Sequence, residues 1–142
     1  MSAVTLSAIL LAHKVSRVPL DIVLPGGHRR RVLVRTVGND WFSANDIGVL
    51  APELVVAFRA ALLASEDSLQ GTLLDQVGMQ IPLRAMLTNL QRQRTKVLLH
   101  LEGLELQGVV IDVAGDYISF VPAGGSRVVI PLARFLWLEV CG

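Results

Sequence analysis

The sequence predicts a mostly β protein with short helices: two tandem, strongly bent five-stranded barrels, each preceded by a helix. Three observations predict it. From Lys96 to Val140, KVLLHLEGLELQGVVIDVAGDYISFVPAGGSRVVIPLARFLWLEV, runs of strand length alternate with Gly- and Pro-containing turns. A fainter copy of this stretch lies 76 positions earlier. A helical pattern leads each copy.

In chain order, Val4, Ile9, Leu10 and His13 share a helical face, which predicts a helix over residues 3–14. Arg17 to Leu24 alternates loosely and ends in the turn signal Pro25-Gly26-Gly27. Arg29 to Val37 reads as a strand, Gly38-Asn39-Asp40 as a turn and Trp41 to Asn45 as a strand. When the chain is slid by 76 positions, Leu20 to Ser43 lies over Lys96 to Ser119, with five of 24 positions identical. The matches Gly27/Gly103, Val34/Val110, Val37/Val113, Asp40/Asp116 and Ser43/Ser119 fall on the turns and on the apolar phase. VGNDWFS and VAGDYIS are therefore the same turn-strand unit, and an internal repeat decides architecture before local propensity does.

Residues 51–65, APELVVAFRAALLAS, would pass as a helix on composition alone. Shifted by 74, however, LVVAFRAALLA lies over VVIPLARFLWL, where Pro131 opposes a continuous helix. Strand, one turn and strand are expected from Val55 to Ala64, with a short helix as the alternative. The changed offset places the length difference around Ile47 to Pro52. Ser65 to Gln80 reads as a polar connection with a short helix near Leu69 to Val77. The expected organisation is a first repeat over residues 1–65, a linker over 66–81 and a second repeat over 82–142.

Pro82 suits the first position of a helix, and Leu83, Met86, Leu87 and Leu90 form one apolar stripe behind it. Arg92, Arg94 and Lys96 at its end suit the negative pole of the helix dipole. The strands expected next are Val97 to Leu101, Leu104 to Val113, Tyr117 to Val121, Arg127 to Ile130 and Phe135 to Val140. Gly108 in the second of them predicts a sharp bend. Leu132-Ala133-Arg134 is a single turn between the last two.

A helix, five strands, Gly108 and the phrases VAGDYISF and VVIPLARFLWLEV resemble the Sm-like (LSm, Hfq-like) fold. The whole chain resembles a bacterial group of tandem Sm-like repeat proteins, some of which carry the label of Fis-type regulators. That label implies a helix-turn-helix pair, and the sequence has no such pattern. The resemblance implies assembly by pairing the fourth strand of one barrel with the fifth of the next, within or between chains. Arg127, Val129, Phe135 and Trp137 are the edge residues it implicates, and a homo-oligomer is expected. It also implies single-stranded RNA binding in two loops. Of the family's Asp-x-aromatic/apolar-x-Asn pattern this chain keeps only Asp40-Trp41 and Asp116-Tyr117, and the basic-Gly pair is replaced by Leu132-Ala133-Arg134.

The bare residues allow several chemistries. Trp41 and Tyr117 can stack on bases or pack in a core. Arg29, Arg30 and Arg31 can neutralise phosphates, but alternate strand residues face opposite ways, and a solvated, protected hairpin tip explains them equally. His13, His28 and His100 share no metal-ligand spacing, and a hydrogen-bonded structural role is expected for His100. Asp112 and Asp116 read as an acid pair only if Asp116 is not serving its turn. No nucleophile motif, P-loop or cofactor motif is present. The near-neutral net charge of +1 advertises no polyanionic partner. The strongly positive mean hydropathy fits either an aliphatic core or apolar surface covered by another copy.

Cys141 is the single cysteine, so no internal disulfide is expected and a reducing, cytoplasmic setting is compatible. The apolar run Ala3 to Ala12 lacks a positive flank and is too short to span a bilayer, so no membrane partner is expected. No small-molecule substrate is evident. The leading expectation is a non-enzymatic, self-associating binding or scaffold module. A regulator that binds RNA or DNA is the alternative, and an enzyme ranks third.

Overall fold

The computed structural model describes residues 5–47, 52–64 and 81–141. The first half runs α1 (Leu6–Ser16), β1 (Leu20–Leu24), β2 (His28–Val37), β3 (Trp41–Asp46), β4 (Glu53–Ala57), a 3-10 turn (Phe58–Ala60) and β5 (Leu62–Ala64). The second runs α2 (Leu83–Gln93), β6 (Lys96–Leu101), β7 (Leu104–Val113), β8 (Tyr117–Pro122), β9 (Val128–Pro131), a 3-10 turn (Leu132–Arg134) and β10 (Phe135–Val140). Residues 53–64 are thus strand, turn and strand. Ala57 and Ala61, on either side of the turn, are both extended, which breaks the helix that composition alone favours. Pro82 sits one residue outside α2, as its extended N-cap, because Leu83 is the first helical residue. The expected linker helix near residues 69–77 and most of the 47–52 connection lie outside the described residues.

The ten strands form one antiparallel sheet in the order β5-β1-β2-β3-β4-β10-β6-β7-β8-β9. It is open. Instead of two separate closed barrels, two five-stranded halves share a continuous ladder through β4 and β10, where Val56 faces Trp137, Val55 faces Leu138 and Leu54 faces Glu139. Strands β5 and β9 are left at the two edges. α1 packs on β2 and α2 on β7, so each half carries its helix on the equivalent strand.

Hydrogen bonds recover the repeat residue by residue. Gly38 N–H donates to Trp41 C=O, and Ala114 N–H to Tyr117 C=O, 76 positions on. Phe58 N–H donates to Asp40 C=O, and Leu132 N–H to Asp116 C=O, which fixes the change of offset from 76 to 74. Both second strands slip register at the same place, between Val34 and Thr36 and between Val110 and Asp112. The helices and the first strands are displaced by 77, from Leu6 and Leu20 to Leu83 and Val97. One residue of difference arises in the first hairpin, whose loop joins Leu24 to His28, where the second joins Leu101 to Leu104.

Gly108 was expected to mark a bend. The register slip falls beyond it, and what the missing side chain permits is close approach of β8: a Cβ there would lie 2.0 Å from the Val121 carbonyl oxygen. Trp41, Phe42, Phe120, Phe135 and Trp137 are buried in one core with the aliphatic residues of both halves. Each such side chain contributes on the order of 1.5–3 kcal/mol of burial free energy.

Candidate functional site

The arginine run lies on β2, where its strand overhangs β3: residues 28–30 pair with β1 only, and the Arg31 carbonyl accepts from the Ile47 N–H just beyond β3. Arg29 and Arg31 are exposed, while Arg30 is half-buried, as alternation along the strand requires. Arg30 lies 3.6 Å from an Asp46 carboxylate oxygen, and Arg31 lies 3.9 Å from Asp21 on the neighbouring strand. Arg29 has no ion pair among the described residues. The three arginines therefore do not make one cationic surface.

The aromatic residues at the turns are held in the fold. Trp41 is 2 % exposed, and its indole N–H donates to the Ile81 carbonyl at 2.8 Å. A Cβ at Gly38 would sit 2.0 Å from that nitrogen, so the turn is shaped around the indole. Tyr117, at the equivalent position, is half-buried, and Asp116 before it is exposed, with its carbonyl engaged by Leu132. Trp41 and Tyr117 belong to different halves and do not form one stacking platform with the arginine tip.

The edge residues separate into two groups. Phe135 and Trp137 are buried in β10, which is already paired on both sides, with β4 and β6. Val129 lies on β9 and is 59 % exposed; Arg127, just before it, donates a 2.8 Å hydrogen bond to Ser119 Oγ. At the opposite edge Leu62 is 71 % exposed. Among the described residues the free edges of the sheet are therefore β9 and β5, while the β4 and β10 edges have satisfied each other within the chain.

A cluster that sequence reasoning did not assemble sits at the junction of the halves. The overhanging tip of β2 brings His28 to β6 and β10, where its ring meets His100 and Trp137 edge-on at centroid distances of 6.0 and 5.9 Å. His100 lies flat on Trp137. Its Nδ1 is 3.6 Å from a Glu105 oxygen, beyond hydrogen-bond range, and its Nε2 is buried with no hydrogen-bond partner among the described residues, so stacking, not the expected hydrogen bonding, holds the ring. Burial lowers the His100 pKa below its ordinary value; Glu105 opposes this and the charges of His28 and Arg30 reinforce it. His28 and His100 occupy unrelated positions of the two repeats, and only the overhang of β2 unites them.

A second clasp spans the same junction: Arg59, in the turn before β5, donates from its guanidinium to the Phe135 carbonyl. No group of three metal-ligating side chains occurs among the described residues. No helix there is long and apolar enough to cross a membrane. Comparison of the chain with family models, with curated proteins and with solved structures gave no match.

Proposed function

We propose that the chain is a non-enzymatic binding or scaffold module of tandem Sm-like type that self-associates through its strand edges. One observation carries the proposal. The fourth strand of the first half and the fifth of the second are paired inside the chain, and their counterparts, β9 and β5, have no partner on their outer side among the described residues. Unpaired edges present rows of backbone donors and acceptors that a second copy can take up. Exposed Val129 and Leu62 give these edges an apolar component.

The internal joint also supplies the register. Moving Val56 and Val55 forward by the repeat offset gives Ile130 and Val129; Trp137 and Leu138, which pair with His100 and Leu99 beyond the β10 register slip, correspond to Leu62 and Leu63, which pair with Val23 and Ile22. In the proposed contact Ile130 of one copy faces Leu62 of the next, and Val129 faces Leu63. The contact is head-to-tail, so copies related by a closing rotation form a ring. A reducing cytoplasmic setting suits a chain with one cysteine.

Cysteine cross-linking tests the register. In a Cys141→Ser background, Val129→Cys and Leu63→Cys should form an intermolecular disulfide, because facing strand residues lie within disulfide reach. Cross-linking with equal efficiency at unrelated surface positions would defeat the proposal.

The second reading, a nucleic-acid-binding regulator, rests on exposed Arg29 and Arg31 on one face of the β2 overhang. Anisotropy of labelled single-stranded RNA and DNA decides it: a steep salt slope lost in Arg29/Arg30/Arg31→Ala supports it, and no binding at low salt removes it.

A further inference from the structure

Helix α2 carries a charge pattern that neither its own stability nor the fold explains. Its 11 residues, LRAMLTNLQRQ, include no acid. Leu83, Leu87 and Leu90 are buried against the sheet. Arg84, Thr88 and Arg92 recur at every fourth position on the other side, with Ala85 and Asn89 beside them. These five residues form one wall of a groove whose opposite wall is Val113-Ala114-Gly115, at the turn between β7 and β8. The groove is open to solvent along its length and has a volume of about 530 Å³.

Arg92, in the last turn, complements the helix dipole, but Arg84 does not. It is the second residue of the helix, at the positive pole, where a cation is unfavourable. Neither guanidinium has an ion pair among the described residues, and no carboxylate lines the groove. The first half provides an internal control. At the offset of 77 that relates the helices, the positions of Arg84, Thr88, Asn89 and Arg92 are occupied in α1 by Ser7, Leu11, Ala12 and Val15. The same helix on the same strand needs no cation there, so the two arginines are specific to this groove.

We propose that the α2 groove is a binding site for a small phosphorylated ligand. Arg84 and Arg92 stand about 12 Å apart along the helix axis and converge on its anionic groups from both ends. Guanidinium groups suit phosphate oxygens because their planar donors can bind two at once. Thr88 and Asn89 lie between them with hydroxyl and amide groups; the Thr88 hydroxyl donates to the Arg84 carbonyl and keeps its lone pairs for a donor on the ligand. Ala85, Val113 and Ala114 offer an apolar surface for the body of the molecule.

The test is titration of the full chain with inorganic pyrophosphate and with ATP, followed by amide NMR shifts and by calorimetry. Saturable binding should shift Ala114, Gly115 and the α2 amides. Arg84→Glu and Arg92→Glu should each weaken it by about tenfold or more, the effect of losing a charge-assisted hydrogen bond. Gly115→Leu should also weaken it, since a side chain there meets no atom within 4 Å and would stand in the groove. Arg17→Glu, an exposed arginine on the other helix's end, should leave it unchanged. Arg84→Glu carries a further signature: it places an acid in the first helical turn, so Tm should hold or rise while binding falls. Absence of saturable binding, binding indifferent to Arg84 and Arg92, or binding of single-stranded oligonucleotides with no response to pyrophosphate and ATP overturns the proposal.

Discussion

The imidazole of His100 lies flat on the indole of Trp137, with ring centroids 3.7 Å apart and planes 4° from parallel. The stack is sealed from the side by His28, which arrives from the other half of the chain on the overhanging tip of β2. A histidine so placed is best kept neutral.

That gives the junction a pH dependence. His100 is 7 % exposed, and its pKa is lowered from 6.5 chiefly by burial. The unfolded chain therefore binds the proton more readily than the folded one. The stabilisation is complete above about pH 6.5 and is lost as pH falls through the folded-state pKa. Glu105 faces the ring and moderates the effect; His28 and Arg30 strengthen it. Urea unfolding at pH 7.5 and pH 5 should show lower stability at the acid end, with the difference reduced in His100→Gln. An unchanged pH slope in that variant would assign the effect elsewhere.

Gly38 and Trp41 should behave as a pair. The indole nitrogen occupies the space a Gly38 side chain would need, so Gly38→Ala should cost about 1–3 kcal/mol, as overpacking does. Trp41→Phe removes the hydrogen bond to the Ile81 carbonyl, which keeps the Asn39 N–H as a partner, and should cost about 0.5–1.5 kcal/mol, the net worth of one hydrogen bond. In the second repeat the turn position equivalent to Gly38 is already Ala114, opposite Tyr117. Chemical denaturation of the two variants checks both figures.

Arg17 and Arg94 end the two helices with left-handed backbones, φ 57° and 49°. A side chain at such a position costs about 1–2 kcal/mol relative to glycine, so Arg17→Gly and Arg94→Gly should each stabilise the fold by roughly 1 kcal/mol after the added chain entropy of glycine. Thermal melts should show an upward shift for each.

The Arg59 clasp has no counterpart at the free edge: the residue at the equivalent position of the second repeat is Ala133. Across the proposed β9–β5 contact, Ala133→Arg would aim a guanidinium at the Ala61 carbonyl of the next copy. Self-association should tighten by about tenfold or more, the effect of one added hydrogen bond from a charged group. Sedimentation measures it directly.

Much of this fold was legible because it is written twice. The turn-strand unit around Asp40 and Asp116 exposed the repeat, and the repeat overruled the helical composition of residues 53–64. Pro131 spoke for both copies. The joint between β4 and β10 was foreseen only as one of two uses of the same edges, because a strand edge looks alike whether its partner is in the same chain or another. The His28–His100–Trp137 cluster was invisible, since residues 28, 100 and 137 share no spacing and meet only through the overhang. Trp41 could be read as a stacking residue or a core residue until Gly38 and the Ile81 carbonyl were seen around it. The α2 arginines had been credited to the helix dipole at Arg92; Arg84, at the wrong pole, was the signal that escaped.

The measurement that tests the central claim most directly is the solution mass of the full chain by light scattering, beside a Val129→Pro variant. Proline removes a ladder donor from β9 while leaving the core untouched. The account predicts a mass that is a multiple of the 15.4 kDa protomer for the natural chain and a folded monomer for the variant. A natural chain that stays monomeric at every concentration, or a variant that assembles as well as its parent, would contradict it.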